Sequence, residues 1–192
     1  TREALFDALQ RREVYASTGP RITLRLFAGW GFTGEELDDA DFAAQGYSAG
    51  VPMGGQLKGS CEQTGELSIL VKASKDPLGA NLDRIQIVKG WMDQGEHREQ
   101  VHDVALSDGR ELREDGRVLD VGNTVDSQSA TYANTIGAAE LGTVWIAREF
   151  DAEHQAFYYA RVLEIPTPRW TTYDAAAFEI PPPDNVPRAV QQ

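Results

Sequence analysis

The three histidines are the residues of this chain best suited to acid–base or metal chemistry. They are His97, His102 and His154, and no two of them stand at the spacing of an HxH or HExxH metal motif. His102 is followed directly by Asp103, but the pair falls in a predicted strand, where neighbouring side chains point to opposite faces. We therefore predict no shared metal ligation there and solvent exposure for all three imidazoles.

No nucleophile accompanies these histidines. The single cysteine, Cys61, has no histidine near it in sequence. The acidic run Glu35–Asp41 lacks the spacing of a calcium loop. We therefore expect no catalytic residue and no cofactor on this chain. A weak surface cation site formed by Asp151, Glu153 and His154 is the alternative.

Two short segments carry polar groups suited to binding a ligand. Ser17, Thr18 and Gly19 follow the first predicted helix and offer hydroxyl and backbone N–H donors. Arg169 and Trp170 follow a long apolar run, after two prolines that remove backbone donors. We predict that both segments face a cleft. The alternative for the first segment is a plain turn between a helix and a strand.

The four tryptophans offer a second kind of binding surface. Aromatic faces with polar rims suit sugar rings, whereas tryptophans in β-domains more often fill the core. An exposed aromatic platform would indicate a module that binds carbohydrate or peptide. The residues concerned are Trp30, Trp91, Trp145 and Trp170.

A helix over Thr1–Glu13 and a series of short strands must position these candidates. Thr1 can cap the helix, and Leu5, Phe6 and Leu9 form its apolar stripe. Strands are predicted at residues 22–27, 66–73, 82–91, 98–106, 141–146 and 157–165.

Two of these strands set expectations for the core. Phe157–Ile165 is a nine-residue run of mostly aromatic and branched side chains, which predicts a central strand covered on most of both faces. In the strand before it, Val144 and Ile146 are expected to point inward. Hairpin turns are predicted at Ser107–Arg110 and at residues 115–116.

No alternation of strands and long helices appears along the chain. We therefore expect a mainly-β fold, an antiparallel β-sandwich or open barrel with one N-terminal helix. Residues 21–178 would form this module, with short helical turns at residues 37–44 and 174–178. Residues 179–192 are proline-rich and are expected to form an extended, poorly packed tail.

Composition narrows the choice of partners. The chain has 192 residues and a net charge of −12, which disfavours nucleic acid and anionic membranes. No apolar run approaches the roughly 20 residues that span a bilayer, so membrane insertion is not expected. The chain begins at Thr1 without an initiator methionine or signal peptide, which predicts a fragment or a processed form.

Four long segments carry a family resemblance. They are TREALFDALQRREVYASTGPRITLRLF, GYSAGVPMGG, KDPLGANLDRIQIVKGW and FYYARVLEIPTPRWTTYDA. Together they span most of residues 1–178 and resemble the C-terminal region of a large bacterial family described only as a domain of unknown function. That family is similar to the polymerase-and-histidinol-phosphatase (PHP) metallohydrolases and to their carbaryl-hydrolase-like branch.

The resemblance implies a larger parent protein, a metal-dependent hydrolase of unknown substrate. Its divalent metal would be held by an upstream barrel whose histidine and aspartate ligands lie before Thr1. Residues 1–20 would then be the last helix and exit segment of that barrel, and the rest a non-catalytic β-module that shapes its cleft. Ser17, Thr18 and Gly19 would lie nearest the cleft. Export signals in similar proteins imply a periplasmic or secreted parent.

Overall fold

A computed structural model describes residues 1–58, 65–113, 118–151 and 155–192. Cys61, His154 and the turn predicted at residues 115–116 lie outside the described residues. The strands are β1 Thr23–Trp30, β2 Gly50–Pro52, β3 Leu67–Ser74, β4 Leu82–Asp93, β5 Glu96–Leu106, β6 Glu140–Ile146, β7 Ala156–Glu164, β8 Thr167–Pro168 and β9 Ala189–Val190. The α-helices are α1 Arg2–Arg11, α2 Phe42–Ala49 and α3 Trp170–Phe178, with a 3-10 helix at Glu35–Asp38.

Two larger antiparallel sheets form the framework. The first has the strand order β2-β1-β3-β6 and the second has the order β5-β4-β7, while β8 and β9 pair separately. Every strand pair in the described residues is antiparallel, and none of these sheets closes into a barrel. The mainly-β prediction is confirmed.

The main core lies between the two larger sheets. Leu26 and Ile69 from the first sheet and Ile85 and Ile87 from the second belong to one buried cluster. These residues alternate with outward-facing neighbours because successive side chains of a strand point to opposite faces. Burial of this apolar area is the dominant stabilising term that holds the sheets together.

A second core covers the other face of the first sheet. Phe27 and Leu70 point away from the sandwich interior and pack with Phe32 and Phe42. Helix α2 reaches Phe27 closely because Gly46 has no side chain, and a Cβ there would overlap the phenyl ring. Both faces of β3 are therefore covered, as are both faces of β1 from Leu26 onward.

The prediction of a central strand at Phe157–Ile165 is wrong. β7 is an edge strand, because β4 holds the middle position of its sheet. The outer face of β7 is uncovered, and Phe157 and Tyr159 are 62% and 40% exposed there. The apolar run reflects packing on one face only, together with a stacked aromatic pair on the other.

The prediction that Val144 on β6 points into the core between the sheets is also wrong. Trp145 packs against the core between the sheets, whereas Val144 packs against the second core. Since both faces of this sheet are covered, an apolar residue on a strand does not indicate which face is the interior.

The two later helices differ from the helical turns predicted for them. α2 begins five residues after the start of the turns predicted at residues 37–44, and α3 has nine residues where five were predicted, so the chain carries more than its N-terminal helix. None of the described helices is long and apolar enough to cross a membrane.

The turns differ from the prediction as well. The β4–β5 hairpin turns at Gln94 and Gly95, which both have positive φ. Asp108 and Gly109 also have positive φ and form a turn, but no described strand follows it to pair with β5. The predicted hairpin at Ser107–Arg110 is therefore wrong, although the turn itself is present.

Asp83 carries a fully buried carboxylate near the start of β4. Arg84 Nε lies 2.9 Å from it, and Arg110 and Gln191 also donate hydrogen bonds to its oxygens. Arg110 further donates to the Asp83 carbonyl oxygen at 2.7 Å and to the Leu119 carbonyl oxygen at 2.9 Å. The carboxylate thus holds the loop after β5 and the C-terminal residues against β4.

The last residues of the predicted loose tail are packed, whereas most of residues 179–187 are exposed. β9 pairs with β8, and the Gln192 carbonyl oxygen accepts a hydrogen bond from the Glu164 backbone N–H at 2.7 Å. Gln191 reaches Asp83. The last four residues are therefore part of the folded unit.

We expect Arg110→Met to lower the free energy of unfolding by about 3 kcal/mol, because it removes a partner from a buried charge. Urea denaturation measures the change. Arg98→Met is the matched control, since Arg98 is half-exposed and its ion pairs within the described residues are with Asp93 and Glu96 at the surface. Its effect should stay below about 1 kcal/mol. If both variants lower the free energy of unfolding equally, the contacts around Asp83 stabilise the fold no more than a surface ion pair does.

Candidate functional site

The first predicted segment, Ser17–Gly19, forms an exposed turn after α1. Gly19 has a φ of +142°, and a Cβ built on it would lie 3.3 Å from Gln192 Oε1. The turn therefore borders the C-terminal end of the chain.

The second predicted segment borders the same C-terminal residues. Arg169 precedes α3, and its backbone N–H donates to the Arg188 carbonyl oxygen at 2.9 Å. Its Nε is buried without a hydrogen-bond partner in the described part of the chain. Trp170 is 65% exposed. The structure brings the two segments to opposite ends of the stretch 188–192, and their role in binding stays a prediction.

Glu164 is a buried acid beside this region. Its residue is 3% exposed, and Oε1 has no hydrogen-bond partner among the described residues. Burial, with a smaller contribution from the nearby Asp76 carboxylate, raises the pKa of Glu164 from 4.5 to about 7, and Lys75 opposes the shift. Asp76 itself accepts hydrogen bonds from the backbone N–H groups of Arg21 and Leu78, at 2.8 and 2.9 Å, which hold its pKa low.

The N-terminal helix forms the most conspicuous uncovered apolar surface near the exit segment. We call Leu5, Phe6 and Leu9 the α1 stripe, and they are 70%, 59% and 62% exposed. Helix α1 buries none of its residues. The stripe that the sequence predicted is present, but nothing in the described chain packs on it.

The C-terminal end of α1 is what attaches the helix to the sandwich. Gly54 lies so close to Arg12 that a Cβ there would overlap the Arg12 carbonyl, and its φ of +82° also favours glycine. The Tyr47 hydroxyl donates a hydrogen bond to Glu13. This bond is the main reason that the pKa of Glu13 is lowered, and it raises the pKa of Tyr47.

A cavity of about 370 Å³ lies beneath this attachment. Its walls come from the end of α1, from β1 and from α2, and its polar lining includes Arg11, Glu13, Arg25 and Tyr47. Arg11 Nε lies 3.3 Å from Glu13 Oε2, so the acid is already engaged by two neighbours. The cavity therefore separates the end of the helix from the sheet, and its acid Glu13 is already bonded to Arg11 and Tyr47.

The described residues contain no group of three or more His, Cys, Asp or Glu side chains that could hold a metal ion. His97 is exposed, and it lies within β5, which begins two residues before the strand predicted at residues 98–106. The prediction of an exposed His102 is wrong. Its ring packs 4.8 Å from the Trp145 ring, and burial lowers its pKa.

The sequence contains a pattern that indicates an inward-facing His102, and the prediction did not use it. In β5, His102 stands two residues before Val104, which packs against the core. Side chains two residues apart on a strand share a face, so His102 also points toward the interior.

The whole chain, residues 1–192, matches the family described as Protein of unknown function (DUF3604). The chain belongs to the DUF3604 family. No curated protein and no solved structure matches this DUF3604 chain. The match confirms the predicted membership in a family of unknown function and covers the DUF3604 chain beyond residue 178.

Replacement of Glu164 by glutamine should change how stability depends on pH. A native pKa raised to about 7 means that this carboxyl favours folding below about pH 4.5 and loses that contribution as the pH rises through 7. The glutamine variant carries no such charge. It should be more stable than the native protein by on the order of 3 kcal/mol at about pH 8, with little difference at about pH 4.

Urea unfolding at the two pH values measures this difference. The exposed Glu99→Gln variant is the control and should follow the native profile. Parallel profiles for Glu164→Gln and the native protein would rule out a buried, protonated Glu164.

Tyr47→Phe should loosen α1 without unfolding the sandwich. The variant loses the donor to Glu13, so the pKa of Glu13 should rise toward 4.5. A lost hydrogen bond of about 1 kcal/mol corresponds to roughly five-fold faster amide exchange in α1, with β3 unchanged. Hydrogen exchange read by mass spectrometry tests this, with Tyr173→Phe on α3 as control. Unchanged exchange in α1 would contradict the proposed attachment.

Proposed function

We propose that this chain is a non-catalytic β-module of a larger protein, which packs through α1 and the exit segment onto an upstream barrel and shapes the cleft of that barrel. The observation that carries the proposal is the α1 stripe. A helix with large apolar side chains 59–70% exposed, and with no buried residue of its own, has the surface of an element that packs against another domain.

The way α1 is attached supports the same proposal. Gly54 and Tyr47 hold only its C-terminal end, at Arg12 and Glu13, so the stripe projects from the sandwich. The exposed turn Ser17–Gly19 follows directly and would lie along the barrel's rim. Docking of the stripe would therefore bring this turn next to the upstream domain.

The divalent metal that the PHP-like relationship implies does not fit the described residues, since no ligand set is present among them. We accordingly assign the metal to the upstream barrel and give this chain a positioning role. Hydrolysis would then be the work of the barrel in the parent protein, with no catalytic group supplied by the β-module.

Leu5→Glu tests the docking surface. Glutamate is a good helix former and sits well near a helix N-terminus, so the variant should change the stability of the isolated chain by no more than about 0.5 kcal/mol. In the parent protein, where the stripe would be buried, an unpaired charge at this position should cost about 2 kcal/mol or more. Thermal unfolding of both forms, with limited proteolysis at residues 13–20, measures the difference.

Met92→Glu is the matched control, because Met92 is 56% exposed on the other sheet. It should change thermal stability by the same amount in the isolated chain and in the parent. Docking through α1 is disproved if Leu5→Glu also changes thermal stability equally in the isolated chain and in the parent.

A further inference from the structure

A cavity of about 450 Å³ lies between β5 and β6, the edge strands of the two larger sheets. His102 and Val104 line it from β5, Trp145 lines it from β6 and Tyr158 lines it from β7. Its volume lies within the range of about 300–1,000 Å³ that is typical of small-molecule sites. A neighbouring cavity of about 230 Å³ shares Tyr158 and extends the space.

Two polar atoms in the cavity wall have no hydrogen-bond partner within the part of the chain that the structure describes. His102 Nε2 and Tyr158 Oη are both buried, and neither has a partner among the described residues. Buried polar groups in folded proteins are nearly always hydrogen-bonded, so each such atom calls for a ligand or a water molecule. Burial lowers the pKa of His102 and raises that of Tyr158, so both side chains are neutral near pH 7.

Aromatic rings lie between these polar groups. The Trp145 ring centroid is 4.8 Å from that of His102 and 6.2 Å from that of Tyr158. In the adjoining cavity, the Lys89 ammonium lies 4.8 Å over the Trp91 ring. Apolar ring faces next to hydroxyl and imidazole groups match a ligand that has both C–H faces and hydroxyl edges.

The charges around the cavity are balanced. Lys89 and Arg148 are cationic, and Glu149 and Asp151 are acidic. The Lys89 ammonium is already bonded to the Glu149 carbonyl oxygen at 2.7 Å. Among the described lining residues no excess positive charge is left to select an anion, and the whole chain carries −12. The balance favours an uncharged ligand.

We propose that this cavity binds a neutral carbohydrate, with a sugar ring against Trp145 and sugar hydroxyls bonded to His102 Nε2 and Tyr158 Oη. The cavity is a different surface from the α1 stripe, and binding there does not depend on docking to an upstream domain. It gives the chain a binding activity of its own.

Tyr158→Phe is the decisive variant, and Tyr159→Phe is its matched control. The two tyrosines are neighbours on β7 and point to opposite faces, so only the first borders the cavity. Since the Tyr158 hydroxyl has no partner among the described residues, its removal should not weaken folding. The probes are the methyl glycosides of glucose, galactose, mannose, xylose and N-acetylglucosamine, at millimolar concentration.

Saturation-transfer NMR and tryptophan fluorescence report binding. We expect at least one glycoside to bind the native chain, about five-fold weaker binding by Tyr158→Phe, and unchanged binding by Tyr159→Phe. Three results would each overturn the proposal. They are no binding of any glycoside, equal weakening by the two variants, and tighter binding of inorganic phosphate or sulfate than of the glycosides.

Discussion

A buried negative charge constrains one end of this fold. The Asp83 carboxylate is fully enclosed, and a charge in that position is costly unless partners surround it. Its partners Arg84, Arg110 and Gln191 come from β4, from the loop after β5 and from the C-terminus. Their convergence closes this end of the sandwich and places the last residues of the chain beside Gly19.

The two proposed surfaces have different physical origins. The α1 stripe is uncovered because only the end of the helix is attached, through Gly54 and the Tyr47 hydroxyl. The cavity exists because β5 and β6 are edge strands of separate sheets and do not pair with each other. One surface is apolar and projecting, as suits a protein partner, whereas the other is concave and mixed in polarity, as suits a small molecule.

Two errors of sequence interpretation, at β7 and at β6, have related causes. An apolar run such as Phe157–Ile165 shows that a strand packs well, but it does not show how many strands flank it. β7 is an edge strand, and its residue Phe157 is 62% exposed. The prediction for Val144 on β6 failed because helix α2 and its neighbours cover the second face of the first sheet. Val144 is packed there and not between the two sheets. The spacing of apolar residues along a strand indicates that a face is buried, but it does not indicate which element covers that face.

The sequence by itself determined the mainly-β class, the capped helix α1 with its stripe, and the family. These depend on local propensity, on spacing within one element, or on long matching segments. Only the tertiary structure decided that Asp83 meets Arg110 and Gln191, which are 27 and 108 residues away. It alone brought His102 and Tyr158 to one cavity. Contacts between strands far apart in sequence depend on which edges pair and which faces pack, and no short stretch of residues encodes that choice.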